Sequence, residues 1–162
     1  MESGKTRRLR WKFNWYPAYR RSSARVTYIA ENLREVHIRL PLNWKTRNLY
    51  GSIYGGSIYA AVDPLHAVML LRNLGPGYEA WTKEARIRFK RQARSDLTGR
   101  AAIDKIELEM LRQEIDRVGS AEREYSIDLV DAEGHVCATC DILVHLRASR
   151  CPANSSVAAF TR

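Results

Sequence analysis

Residues 48–63 read NLYGSIYGGSIYAAVD, and several residue types in this stretch can act together on a carbonyl carbon. Gly55 and Gly56 stand directly before a run that is apolar nearly all round. Adjacent glycines leave backbone N–H groups unshielded, and a helix start carries unpaired donors with a partial positive charge. Such a spot can hold a carbonyl oxygen that becomes negative under nucleophilic attack. The same pair also serves if a loop merely has to pack closely on a helix, and the local residues do not choose between these readings. Asp63 is the only carboxylate between Glu35 and Glu79. Its neighbours Ala61, Val62, Leu65 and Ala67 predict desolvation, which raises a carboxyl pKa and suits a general base. Asp63-Pro64 fits equally a helix N-cap followed by proline at the first helical position, with residues 57–62 as loop or strand. Inside a longer helix Pro64 would cost about 3 kcal/mol.

The spacing of Asn48, Gly51, Ser52, Gly55, Gly56 and Asp63 resembles the active-site signature of hotdog-fold acyl-CoA thioesterases of the phenylacetate-pathway type. The stretch from FNWYPAY through LPLNWKTRNLYGSIYGGSIYAAVDPL to EARIRFKRQ is similar to a poorly characterised branch of that superfamily. The resemblance implies that Asp63 activates a water, or attacks directly, across a dimer interface. It implies a thioester oxygen held by the Gly55-Gly56 backbone and a nucleophile or substrate oriented by Asn48. Ser52 matches a position usually held by a small hydroxyl residue. Two positions differ: Tyr54 stands where the phenylacetate type commonly has His, and Pro64 directly follows the acid. The implied activity is hydrolysis of an acyl-CoA to free acid and CoA, with no metal and no cofactor beyond the coenzyme A of the substrate. A non-catalytic acyl or acyl-CoA binder on the same fold is the alternative. Arg86, Arg88, Lys90 and Arg91 are candidates for the coenzyme A phosphates. Asp63-Pro64-Leu65-His66 is also similar to a hotdog hydratase motif but lacks two residues between Asp and Pro.

The elements that would position these groups follow from periodicity. Residues 24–31 and 35–40 read as strands, the second with Val36, Ile38 and Leu40 alternating with His37 and Arg39. The run from Ile58 to Leu71 has no polar face, as in a buried helix, and stops at Gly75-Pro76-Gly77. After it Trp81, Lys83, Ala85, Ile87 and Phe89 are expected on one strand face, opposite Glu84, Arg86, Arg88 and Lys90. Residues 99–108 read as a strand and 109–118 as a short helix stopped by Gly119. Tyr125, Ile127 and Leu129 mark another strand, residues 131–134 a turn, and 135–146 the last strand.

The expected architecture is α+β: a hotdog fold with one long buried helix wrapped by a five- or six-stranded antiparallel sheet. Such a sheet covers the helix on one side, so burial predicts a homodimer, with a dimer of dimers (a tetramer) as the larger form. Residues 1–12 form a basic amino-terminal segment, 13–147 a single domain and 148–162 a tail expected to be mobile. Of 162 residues, 45% are apolar and 28% charged, which excludes a disordered or fibrous chain. No stretch predicts a membrane span or a secretory signal, and a cytoplasmic location is expected. The net charge of +9 is uneven, with eight Lys/Arg against one Glu in residues 1–25. That suits an anionic partner, although no nucleic-acid-binding motif accompanies it and none is expected to bind. Cys137 and Cys140 have half-site spacing for zinc but no second pair, and read as buried thiols.

Overall fold

The computed structural model describes residues 3–149. Two helices open the chain, α1 (Gly4–Trp15) and α2 (Pro17–Arg21), followed by strands β1 (Arg25–Ile29) and β2 (Glu35–Leu40). A long helix α3 (Gly55–Leu74) then leads to β3 (Tyr78–Phe89) and β4 (Leu97–Ala102). Helix α4 (Lys105–Val118) precedes β5 (Ser120–Val130) and β6 (Val136–Ala148). The six strands form one antiparallel sheet in the order β1-β2-β4-β5-β6-β3. The expected α+β architecture is present, with the long helix cradled by six strands. The tail beginning at residue 150, and Cys151 with it, lies outside the described residues.

Inward residues of β6 (Ala138, Cys140, Ile142, Val144 and Leu146) are all buried, as strict alternation predicts. They meet Ile58, Ala61, Val62, Leu65, Met69 and Leu70 of α3 in one apolar core. Neither helix α1 nor the sheet order was readable from local pattern. Consecutive strands are not always neighbours: β2 pairs with β4, while β3 crosses to the far edge and pairs with β6.

The strand expected over residues 99–108 ends at Ala102. The Asp104 side chain accepts a hydrogen bond from the Ile106 N–H at 2.6 Å and so starts α4, whose buried residues Leu108, Leu111 and Ile115 recur at helical spacing. Gly119, at φ 86°, ends that helix as expected. In β3 the shared face assigned to Trp81, Lys83, Ala85, Ile87 and Phe89 is corrected. The register with β6 slips between Thr82 and Glu84, so Lys83 is a bulge. One extra residue flips the alternation. Ala80 and Thr82 therefore share the helix-facing side with Ala85, Ile87 and Phe89. Trp81 turns to the outer face, 4.5 Å from the His145 ring.

Helix α3 begins at Gly55, not at Asp63, which settles the N-cap alternative against it. Pro64 is thus in the helix interior and cannot donate to the Ala60 carbonyl. Proline rings also crowd the preceding turn and free nearby carbonyls. The Ala61 carbonyl accepts a hydrogen bond from the buried Tyr19 hydroxyl at 3.2 Å, and the Asp63 carbonyl one from Thr82 Oγ1 at 3.4 Å. Residues 13–19 thus pack against this turn of α3. Phe13 and Tyr19 meet edge to face, ring centroids 4.7 Å apart, and cover the side of α3 that carries Leu65, Val68 and Met69. Part of the cover assigned to a second sheet is supplied by these helices. Tyr19→Phe removes the hydroxyl's hydrogen bond to the Ala61 carbonyl, and should lower unfolding free energy by about 0.5–1.5 kcal/mol in urea titration, with the slope unchanged.

Candidate functional site

One row along α3 escapes the cover. Gly56 is exposed, and Tyr59, Ala60, Asp63 and Ala67 are half-buried; their spacing of three to four residues puts them on one helix face. The row runs beside the inner face of β3, with Thr82 at Asp63 and Phe89 at Gly55. Edge strand β3 leaves Ala85 and Phe89 exposed there, Phe89 by 60%.

At the helix start the amide groups of Ser57 and Ile58 donate to the Tyr54 carbonyl at 3.0 and 3.2 Å. Among the described residues, nothing accepts from the N–H groups of Gly55 and Gly56, and Tyr54 offers no side-chain cap. A side chain at either glycine would push an exposed aromatic ring aside. A Cβ on Gly55 would lie 2.8 Å from Phe89 Cζ, and one on Gly56 2.5 Å from Tyr54 Cε1. The pair thus lies close under two aromatic rings and leaves two donors at a positive helix end.

The loop before the helix is held by Asn48. Its side-chain oxygen accepts from the N–H groups of Tyr50 at 2.9 Å and Ser52 at 3.1 Å, while its Nδ2 donates to Ser52 Oγ at 2.9 Å. Gly51, at φ 78°, makes the turn between them. Asn48 and Ser52 are brought together, but on each other: the carboxamide closes its own loop. Two backbone bonds, Ile53 N–H to the Ala93 carbonyl at 2.9 Å and Tyr54 N–H to the Thr46 carbonyl at 2.7 Å, then fix the approach to Gly55.

Asp63 Oδ1 accepts a hydrogen bond from the Tyr59 hydroxyl at 2.8 Å. Burial, and then the hydrogen bond and charge of Asp63, push the Tyr59 phenol up to about 12, so it remains a neutral donor at ordinary pH. Tyr59 was not singled out from the sequence. Its i,i+4 spacing from Asp63 is a signal only once the helix is known to start at Gly55.

Arg86 and Arg88 do not converge on the glycine pair. They lie on the outer face of β3, where Arg88 forms an ion pair with Asp141 at 2.7 Å. Lys90 follows Phe89 just past the strand end, its backbone N–H bonded to the Cys137 carbonyl at 2.8 Å. Cys137 and Cys140 are free, buried thiols, and burial pushes both up, Cys140 to about 11. Thiols held protonated are poor zinc or redox ligands. Asp131, Glu133 and His135 cluster in the β5–β6 turn, but Asp131 Oδ1 already caps that turn through the N–H groups of Glu133 and His135.

His66 is enclosed in the core. It is 2% exposed and stacks on the Tyr125 ring at 4.2 Å, and its Nδ1 has no partner among the described residues. Burial holds it down from 6.5 to about 4, opposed in part by a hydrogen bond to the Ala102 backbone. In the unfolded chain His66 takes up its proton below pH 6.5, whereas in the folded chain it resists until about pH 4. Stability is therefore full above 6.5 and falls as pH drops through that window, by up to about 3 kcal/mol. His66→Gln should flatten this fall, read as urea midpoints at pH 7 and pH 4.5; equal slopes in both proteins would refute it.

Solved structures with the same architecture are found across bacteria. The chain is 26% identical to PA5026 of Pseudomonas aeruginosa, described as a protein of unknown function and probable thioesterase. Their TM-score is 0.79 over 92% of this chain and 99% of that one. OLEI01261 of Chlorobaculum tepidum, of unknown function, is 13% identical with a TM-score of 0.74, over 90% of this chain and 95% of its own. The Haemophilus influenzae thioesterase HI1161 is 14% identical with a TM-score of 0.63, over 85% and 87%. Among curated proteins, none matches. Residues 6–146 match the family described as domain of unknown function DUF4442. The chain belongs to the DUF4442 family, and its fold is the hotdog fold of thioesterase-like proteins.

Proposed function

We propose that this protein is an acyl-CoA thioesterase, with Asp63 as general base or nucleophile and the Gly55-Gly56 N–H groups as the oxyanion site. The observation that carries this reading is the open row on α3. Two backbone donors without acceptors stand at its start, and a carboxylate stands two turns further along the same face. In the general-base form Asp63 takes a proton from water as the oxygen attacks the thioester carbon. Negative charge then builds on the carbonyl oxygen, where two N–H groups and a helix dipole stabilise it. Collapse expels the coenzyme A thiolate, which recovers the proton, leaving free acid and CoA.

Gly56 and Asp63 are about 10 Å apart along the helix axis, and the Tyr59 side chain stands between them with its hydroxyl on the carboxylate. Both groups meet one carbonyl most directly if a second copy supplies one of them. The exposed inner face of edge strand β3, next to the same row, supports such a homodimer. Lys90 and Arg91, just beyond the Phe89 ring that lies on Gly55, are then better placed than Arg86 and Arg88 for the coenzyme A phosphates. A second reading, binding of acyl-CoA without turnover, is favoured by one observation: the Asn48 carboxamide is engaged within its own loop.

Free-thiol release across acyl-CoAs of graded chain length, and aryl-CoAs, tests the proposal. Wild-type protein should turn over at least one, and Asp63→Asn should lower kcat by about 100-fold or more. Tight calorimetric binding without hydrolysis would favour the second reading, and neither binding nor hydrolysis would reject both. Tyr59→Phe removes a charge-assisted hydrogen bond that orients Asp63, and should lower kcat about tenfold with KM little changed. Sedimentation equilibrium should give a dimer; a monomeric enzyme with full activity would remove the shared site.

A further inference from the structure

The outward face of α1 has no role in the site described above, and its chemistry is unusual for a solvated helix. Thr6 and Phe13 are buried on the inner side, with Leu9 packed against the core. Asn14 clasps β1, its Nδ2 donating to the Val26 carbonyl at 2.9 Å and its Oδ1 accepting from the Val26 N–H at 2.8 Å. The helix is thus fixed in rotation. At about 100° per residue, Trp11 and Trp15 fall on the side opposite Thr6 and Phe13, with Arg7 and Arg8 flanking them. Trp11 is 61% exposed and Trp15 53%, and Tyr16 beside them is 48% exposed. Residues 4–21 hold seven Lys/Arg and no acid.

We propose that this face is a docking surface for an anionic phospholipid membrane. Indoles on a helix face directed away from the core, bordered by cations, have the composition of an interfacial anchor. Each cation near an anionic bilayer adds to the attraction, and clusters of this size act together. The rings argue for lipid over nucleic acid. Trp11 and Trp15 pack on each other, centroids 5.6 Å apart, and the Arg20 guanidinium lies 4.7 Å from the centre of Trp15. Ring faces occupied in this way are poor platforms for stacked bases, whereas a bilayer interface takes indoles by edge and ring alike. Position argues against a second copy as the occupant. Helix α1 packs on β1, at the opposite edge of the sheet from β3, so copies joined through β3 would leave it free.

Co-sedimentation of the full chain with vesicles tests the proposal, using phosphatidylcholine alone and with about one-third phosphatidylglycerol. The expected result is binding to the anionic vesicles, a blue shift in tryptophan emission, and release by high salt. Trp11→Ala/Trp15→Ala should abolish the blue shift. Arg7→Gln/Arg8→Gln should weaken binding about 30-fold at low salt. Both variants alter side chains that point away from the core, so their urea midpoints should match wild type. No binding to anionic vesicles overturns the proposal, as does equal binding to neutral vesicles or unchanged binding in both variants. Capture of a single-stranded oligonucleotide in preference to vesicles would assign the face to nucleic acid instead. Loss of self-association in the tryptophan variant, without vesicle binding, would assign it to a second copy.

Discussion

Pro64 takes one backbone hydrogen bond out of the middle of α3, and the turn it interrupts is gripped from outside by Tyr19 and Thr82. That loss falls at Ala60 on the open side of the helix, whereas polar groups on the covered side have to find their partners within the protein. There the Tyr19 hydroxyl donates to the neighbouring Ala61 carbonyl, and Tyr19 is held in place by Phe13 and by the short helix that follows α1. The amino-terminal helices are therefore part of the core. The sheet and these two helices close α3 from three directions and leave one row open.

That open row is where the chemistry gathers, and it carries a tension between burial and access. Unsatisfied donors at Gly55 and Gly56 are tolerable because the helix start reaches solvent beside two half-open rings, Tyr54 and Phe89. Asp63 stands further in and is steadied by the neutral phenol of Tyr59, so its charge is matched by a donor without being cancelled by a cation. His66, three residues further along, shows the contrasting solution: enclosed in the core, its imidazole is held neutral by burial.

What the sequence disclosed depended on how far each signal reaches along the chain. The all-apolar run of α3 and the alternation in β2, β5 and β6 are local, and they survive in the structure almost residue for residue. Helix α1 was hidden because only Thr6, Leu9 and Phe13 of its twelve residues face inward, within a basic sequence that reads as a solvated segment. Lys83 is invisible as a bulge, since alternation is regular on either side of it and only the pairing with β6 reveals the slip. The glycine pair and Asp63 could be picked out by spacing. That Asn48 is tied to Ser52, and that Arg86 and Arg88 point to the far face of β3, are matters of tertiary direction that spacing does not encode.

The sheet order has a temporal side as well. Helix α3 is made before β3 to β6, yet its apolar side chains rest on β6, near the end of the described chain. Synthesis at about 5–20 residues per second leaves that helix without its cover for several seconds. During this interval the amino-terminal helices and the β1–β2 pair are the apolar shelter already made. A nascent chain of this kind is an expected client of holdase chaperones, and its yield on expression should depend on how quickly the last two strands arrive.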